Sequence, residues 1–231
     1  MTGKLIDVTA SDGKKFHAYL ALPSSKKAPG ILLIQEIFGV NHHIKSVADK
    51  WAKEGFVVLA PDLFFRMQPD FEVGYGEEDM KKAFELYHRF DEKQALDDLS
   101  CALESLRKLP ECTGKLGVIG FCLGGKMTYR VAAHNKIDAA SSYYGGGINQ
   151  MLDEMPQIAC PMLMHFGAKD QHITSDAVDA IKKAAQSKTN IQIFVYDADH
   201  GFNCDERKSY DKASADLAFT RSLDLMKTHL E

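Results

Sequence analysis

Cys122 is the centre of the stretch Gly120-Phe121-Cys122-Leu123-Gly124-Gly125. The apolar run Lys115-Leu116-Gly117-Val118-Ile119 precedes it and reads as a buried strand. Residues Lys126 to His134 follow, good helix formers without Gly or Pro. A Gly-x-nucleophile-x-Gly sequence between strand and helix makes a sharp elbow that holds the nucleophile in a strained conformation. Gly120 and Gly124 supply the small residues that such a turn requires. At a helix N-terminus, dipole and free N–H groups favour a thiolate and receive a developing oxyanion. Two further loops carry matching groups. Asp170 follows the run Met162–Phe166, in Gly167-Ala168-Lys169-Asp170, and His200 follows Ile191–Tyr196, in Asp197-Ala198-Asp199-His200-Gly201-Phe202. A glycine-rich turn, a loop Asp and a loop His each have an ordinary structural reading. Their joint occurrence in the order nucleophile, acid, histidine, each at a strand end, points to nucleophilic catalysis.

The chemistry needs each residue type. A free thiol, with a pKa near ~8.5, is only partly ionised at neutral pH. His200 is the base that takes its proton and later activates water against a thioester. Asp170 fixes the imidazole tautomer and stabilises imidazolium. Asp197 and Asp199 are rivals for that role. Asp170 is preferred because a carboxylate so close in sequence to His200 does not ordinarily reach its far ring nitrogen; Asp199 is expected to shape the turn.

The surrounding elements must bring these loops together. Residues 1–22 read as a β-ribbon turning at Ser11-Asp12-Gly13. Lys27-Ala28-Pro29-Gly30 punctuates the chain before the strand Ile31–Ile34, an apolar run of the kind buried on both faces. Ile44–Lys53 reads as a helix, with His42-His43 at its start, and Phe56–Ala60 as a strand stopped by Pro61-Asp62. Residues 66–92 are a polar excursion bordering the site, with a charged helix from about Glu77. A helix over Leu96–Leu106 comes before the elbow strand. Ala139–Tyr144 is a further strand, and helices are expected at Ser175–Ser187 and Tyr210–His229. This alternation predicts a single α/β domain over 1–231, a mostly parallel twisted sheet with helices on both faces. In such a sheet, sites form at the C-terminal ends of the strands.

The bulk properties exclude other classes. A net charge of −4 without a basic stripe argues against a nucleic-acid partner. The start Met1-Thr2-Gly3-Lys4-Leu5-Ile6-Asp7 has no apolar core of a signal peptide, and no run reaches membrane-spanning length. Five cysteines without CxxC spacing read as reduced thiols of a cytoplasmic protein, with no metal site and no cofactor expected. Cys204 is four residues past His200; a resolving thiol is one reading, a structural cysteine the more ordinary one.

At this point the chain resembles the dienelactone hydrolase (carboxymethylenebutenolidase-like) family of α/β-hydrolases. The matching pieces are Gln35-Glu36-Ile37-Phe38-Gly39-Val40-Asn41, Ala60-Pro61-Asp62-Leu63, the Cys122 elbow, Tyr143-Tyr144-Gly145 and Asp199-His200-Gly201-Phe202. The resemblance implies an α/β-hydrolase fold and a Cys122–Asp170–His200 triad. It implies an oxyanion hole from the Leu123 and Ile37 N–H groups. It also implies that Glu36 is an extra carboxylate that takes the thiol proton when substrate binds. A carboxylate facing a thiol keeps it protonated by charge repulsion until the carboxylate shifts.

The family binds its lactone carboxylate with two arginines; at those places this chain has Met80 and Cys204. Lys81, Lys82 and Arg207 are the candidates to replace them, though lysine does not match the bidentate geometry of arginine. Phe38, Phe64, Phe65, Phe84, Tyr87, Tyr144 and Phe202 are candidates to line an apolar substrate pocket. The expected function is cysteine-dependent hydrolysis of small esters or lactones through an acyl-cysteine, by a monomer or homodimer. A broad aryl esterase or thioesterase acting on neutral substrates is the nearest alternative. A non-catalytic thiol sensor is the alternative from another class.

Overall fold

A computed structural model describes residues 3–231; Met1 and Thr2, the start of the expected ribbon, lie outside the described residues. The chain divides into two compact units, residues 1–117 and 118–231.

The first unit holds β1 (Lys4–Thr9), β2 (Lys15–Ala21), β3 (Ala28–Ile34), α1 (His42–Lys53), β4 (Val57–Pro61), α2 (Glu77–Tyr87), α3 (Glu92–Lys108) and the start of β5 (Cys112–Phe121). Its strands run in the order β1-β2-β4-β3-β5. The ribbon pairs β1 with β2 antiparallel, Val8 opposite Phe16, and β2 pairs antiparallel with β4. β3 and β4 are parallel, Ile31 opposite Val58. Both are buried at every residue, as their unbroken apolar runs require. Asn41 starts α1 by accepting the Ile44 N–H on its side chain at 3.2 Å, which satisfies one of the free donors of the first turn.

The second unit holds the end of β5, then α4 (Leu123–His134), β6 (Ala139–Tyr143), β7 (Met162–Gly167), α5 (Ser175–Ala185), β8 (Ile191–Tyr196) and α6 (Lys212–Leu230). Its strands run β5-β6-β7-β8. β6 and β7 are parallel with Ser142 opposite Met164, and β7 and β8 are parallel with His165 opposite Phe194. The strands that end in Phe121, Gly167 and Tyr196 therefore deliver the three chemical loops. The α/β class and mostly parallel sheet expected from the sequence are present. Among the described residues, no helix is long and apolar enough to cross a membrane.

Among the boundaries that differ from the sequence reading, three bear on the elbow and the strand that leads to Glu36. β3 begins at Ala28, so the expected punctuator lies inside the strand. Ala28 donates to the Glu111 carbonyl at 2.9 Å, Pro29 sits near the strand start, and Gly30 already pairs with Val57. β5 continues through Gly120 and Phe121, and α4 starts directly at Leu123. Cys122 alone makes the turn between them.

Candidate active site

The elbow compresses a strand-to-helix reversal into one residue. Cys122 has φ +55° and ψ −114°, a conformation that costs a non-glycine residue on the order of 1–3 kcal/mol. Its N–H donates to the Tyr143 carbonyl at 3.0 Å, which ties the turn to the end of β6. A Cβ on Gly120 would lie 2.1 Å from the Gly124 carbonyl oxygen, and one on Gly125 would lie 2.3 Å from the Tyr143 oxygen. Gly120 and Gly125 therefore have no room for a side chain. Cys122 is partly exposed at the head of α4, where the helix presents its unpaired N–H groups and positive dipole end.

The other two loops are joined to each other past the ends of β7 and β8. Ala168 donates to the Tyr196 carbonyl at 2.7 Å and Lys169 to the Ala198 carbonyl at 2.9 Å. This brings Asp170 Oδ2 to 2.7 Å from His200 Nδ1. The second carboxylate oxygen of Asp170 accepts the N–H groups of His172 at 2.7 Å and Ile173 at 3.1 Å. Asp199 does shape the turn: its Oδ1 accepts the His200 backbone N–H at 2.6 Å. Asp197 is exposed and pairs with Lys169 at 3.0 Å. Of the three candidate carboxylates, Asp170 is the one on the imidazole.

His200 is buried, with Tyr144 against its ring at 5.0 Å between centroids and His172 edge-on at 5.1 Å. It also hydrogen-bonds the Cys122 sulfur. Burial works against its charged form. The charge of a Cys122 thiolate and the hydrogen bonds from Asp170 and Cys122 outweigh that and push the imidazole up to about 10. Burial likewise disfavours the Asp170 carboxylate. The hydrogen bond and charge of His200, with the two backbone donors, still hold it below the usual carboxylate range.

Residues 16–230 match the model of the dienelactone hydrolase family. The chain belongs to that family. It is 32% identical to carboxymethylenebutenolidase 1 of Cupriavidus pinatubonensis over 96% of this chain and 95% of that one. It is 31% identical to the carboxymethylenebutenolidase of Pseudomonas putida over 96% and 94%. Among solved structures, a Klebsiella pneumoniae protein assigned to the dienelactone hydrolases superposes with a TM-score of 0.84 at 31% identity, covering 98% of this chain and all of that one. A Pyrococcus furiosus esterase, 17% identical, shares the fold at a TM-score of 0.74, with 99% and 93% covered.

The second unit brings together Cys122, Leu123, Asp170 and His200, with Tyr144 and Phe202 behind them. Phe202 and Tyr144 are both buried and meet edge to face, 5.3 Å between centroids. Cys204 is buried. The first unit holds Glu36, Ile37 and Phe38, all buried, just after β3. Tyr75 Oη donates to Glu36 Oε2 at 2.9 Å. Phe84 and Tyr87 lie together on α2, with Phe84 exposed, and Lys81 on the same helix pairs with Glu78. Phe64 and Phe65 are core residues, Phe65 stacked on Phe16 at 4.4 Å. Sequence reasoning missed Tyr75, whose signal was only an aromatic between two glycines in a polar stretch. It also missed the backbone donors of His172 and Ile173, which no side-chain pattern reveals.

Proposed function

We propose that this chain hydrolyses small esters or lactones through an acyl-cysteine on Cys122. The observation that carries the proposal is the continuous series from Cys122 through His200 to Asp170, closed by the 2.7 Å contact between the last two. Family membership supports the reaction class; the relatives named above are carboxymethylenebutenolidases.

The cycle balances within the triad. His200 takes the proton of the Cys122 thiol, and the thiolate attacks the ester carbonyl, forming a C–S bond as the carbonyl π pair moves to oxygen. The Leu123 N–H at the head of α4 receives that oxyanion; the family resemblance adds the Ile37 N–H to it and makes Glu36 an alternative acceptor of the thiol proton. Collapse breaks the C–O bond, and the leaving oxygen takes the proton from His200. His200 then removes a proton from water as it attacks the thioester, and the thiolate leaves with the acid product released. Asp170 keeps the imidazole in one tautomer throughout.

With Met80 and Cys204 where the family has arginines, neutral or aromatic esters are proposed as substrates at least as good as a carboxylate-bearing lactone. The thiol must stay reduced, which fits a cytoplasmic location.

The test is a stopped-flow progress curve with excess p-nitrophenyl acetate. A burst of nitrophenol followed by steady turnover is expected, with both phases absent in Cys122→Ala at unchanged far-UV spectrum. A Cys122→Ala protein with full turnover would overturn the mechanism. A comparison of a neutral aryl ester with an anionic lactone then tests the substrate class.

A further inference from the structure

We propose that Tyr75 is a positioning residue for Glu36, delivered to it by a short strap, residues 71–75, laid against the loop that follows β3. The inference deepens the proposed function and rests on the reading of Glu36 as a catalytic carboxylate.

Glu36 has no exposed surface, and a buried carboxylate without a fixed donor is costly and free to change rotamer. The Tyr75 phenol donates to its Oε2 at 2.9 Å. The tyrosine ring is itself held, packed edge-on against Phe38 at 4.6 Å and flanked by His43 at 6.4 Å. A rigid ring with one polar tip can select a single carboxylate orientation at little entropic cost.

The strap is built for that placement. Glu72 forms an antiparallel bridge with Gly39, and the Val73 N–H donates to the Phe38 carbonyl at 3.1 Å. Asn41 returns a hydrogen bond from its side chain to the Val73 carbonyl at 3.0 Å. Lys45 pairs with Glu72 at the exposed end. Gly39 has φ +82°, and a Cβ there would sit 1.7 Å from the Phe71 carbonyl oxygen, so the two backbones approach this closely only with glycine. The other side of Glu36 is tied as well. Gln35 donates to the Glu36 carbonyl at 3.2 Å and accepts the Leu63 N–H at 3.1 Å. Backbone is thus fixed on both sides of the phenol–carboxylate contact, and the phenol selects among the Glu36 rotamers.

A purely structural Tyr75 would also satisfy a buried carboxylate, so the test is coupling and not loss alone. We would measure kcat and KM for p-nitrophenyl acetate in Tyr75→Phe, Glu36→Gln and the double variant. Each single substitution is expected to shift kcat/KM in the same direction, by roughly tenfold, chiefly through kcat. The double variant should match Glu36→Gln alone, because the phenol has nothing left to orient. Glu72→Gln, which keeps Tyr75 and alters only the exposed end of the strap, should give a smaller shift that also disappears in the Glu36→Gln background. Shifts that multiply in the double variant would overturn the positioning role while leaving a catalytic Glu36 intact. An unchanged kcat/KM in Glu36→Gln would instead remove the catalytic reading of Glu36, and the proposal with it.

Discussion

Asp170 gives one carboxylate oxygen to His200 Nδ1 at 2.7 Å and the other to the backbone of His172 and Ile173. The two oxygens therefore have different duties, orientation of the imidazole and anchoring of the loop. Asp170→Asn separates them. The amide oxygen can still accept the two backbone N–H groups, while the amide nitrogen presents a donor where His200 needs an acceptor. Folding should be retained, with kcat lowered roughly 10³-fold or more by the wrong tautomer. Steady-state kinetics beside a thermal melt check this. A variant that loses its fold in step with its activity would show that the anchoring duty dominates.

The proposed triad was legible because each member sits just past a strand whose apolar run is unmistakable, and because nucleophile, acid and histidine come in order. Asp199 could be set aside as a turn residue on spacing alone, and its hydrogen bond to the His200 N–H agrees. What the sequence hid depends on contacts between distant segments. β3 absorbs Pro29 and Gly30 because partners at Val57 and Glu111 supply the pairing that local propensity denies. Tyr75 meets Glu36 across 39 positions of chain, and His165 meets Ser222 across 57. Periodicity carries no information about pairings at such range.

Replacement of the thiol should be felt at the imidazole. Burial alone would lower His200, and it is the thiolate charge, with the hydrogen bonds from Asp170 and Cys122, that takes it up to about 10. Serine does not ionise in this range, so Cys122→Ser removes the charge while keeping a hydrogen-bonding group. The His200 titration followed by NMR should move down by more than one pH unit. The sign is fixed by the physics, since loss of a neighbouring negative charge can only disfavour imidazolium. An unmoved His200 would mean that Asp170 alone sustains its charge.

The elbow should tolerate no added methyl group at two of its glycines. In Gly120→Ala and Gly125→Ala the new Cβ meets backbone atoms at 2.1 Å and 2.3 Å, and backbone in the first helical turn and at the end of β6 has little room to yield. Each should cost about 2–4 kcal/mol in denaturant unfolding and abolish the nitrophenol burst. Gly146→Ala is the matched control. The nearest atom to its new Cβ is Ile173 Cγ1 at 3.8 Å, an ordinary contact, and stability should stay within about 0.5 kcal/mol. Equal losses in all three would show that the region is sensitive to any change and not to these close approaches.

His165 makes a prediction about pH. It is fully buried in β7, with Nδ1 at 2.8 Å from the Tyr196 hydroxyl and Nε2 at 3.1 Å and 3.2 Å from the hydroxyls of Ser222 and Ser141. Arg221 stacks on Phe194 at 3.9 Å and donates to the Tyr196 hydroxyl at 3.0 Å. Burial first, and then the Arg221 charge, lower the imidazole to about 3. In the unfolded chain the same group takes its proton near ~6.5. Between those values the unfolded state binds one more proton than the folded one, so stability rises with pH by about 1.4 kcal/mol per unit. The contribution of a neutral His165 is complete above the unfolded value and is lost as pH falls towards 3. His165→Gln keeps hydrogen-bonding groups but cannot titrate. Urea unfolding at pH 6.5 and pH 5 should show the parent protein losing on the order of 2 kcal/mol more than the variant over that interval. Parallel losses in the two proteins would mean that His165 charges in the folded state at its ordinary pH, and that the hydroxyl network opens to allow it.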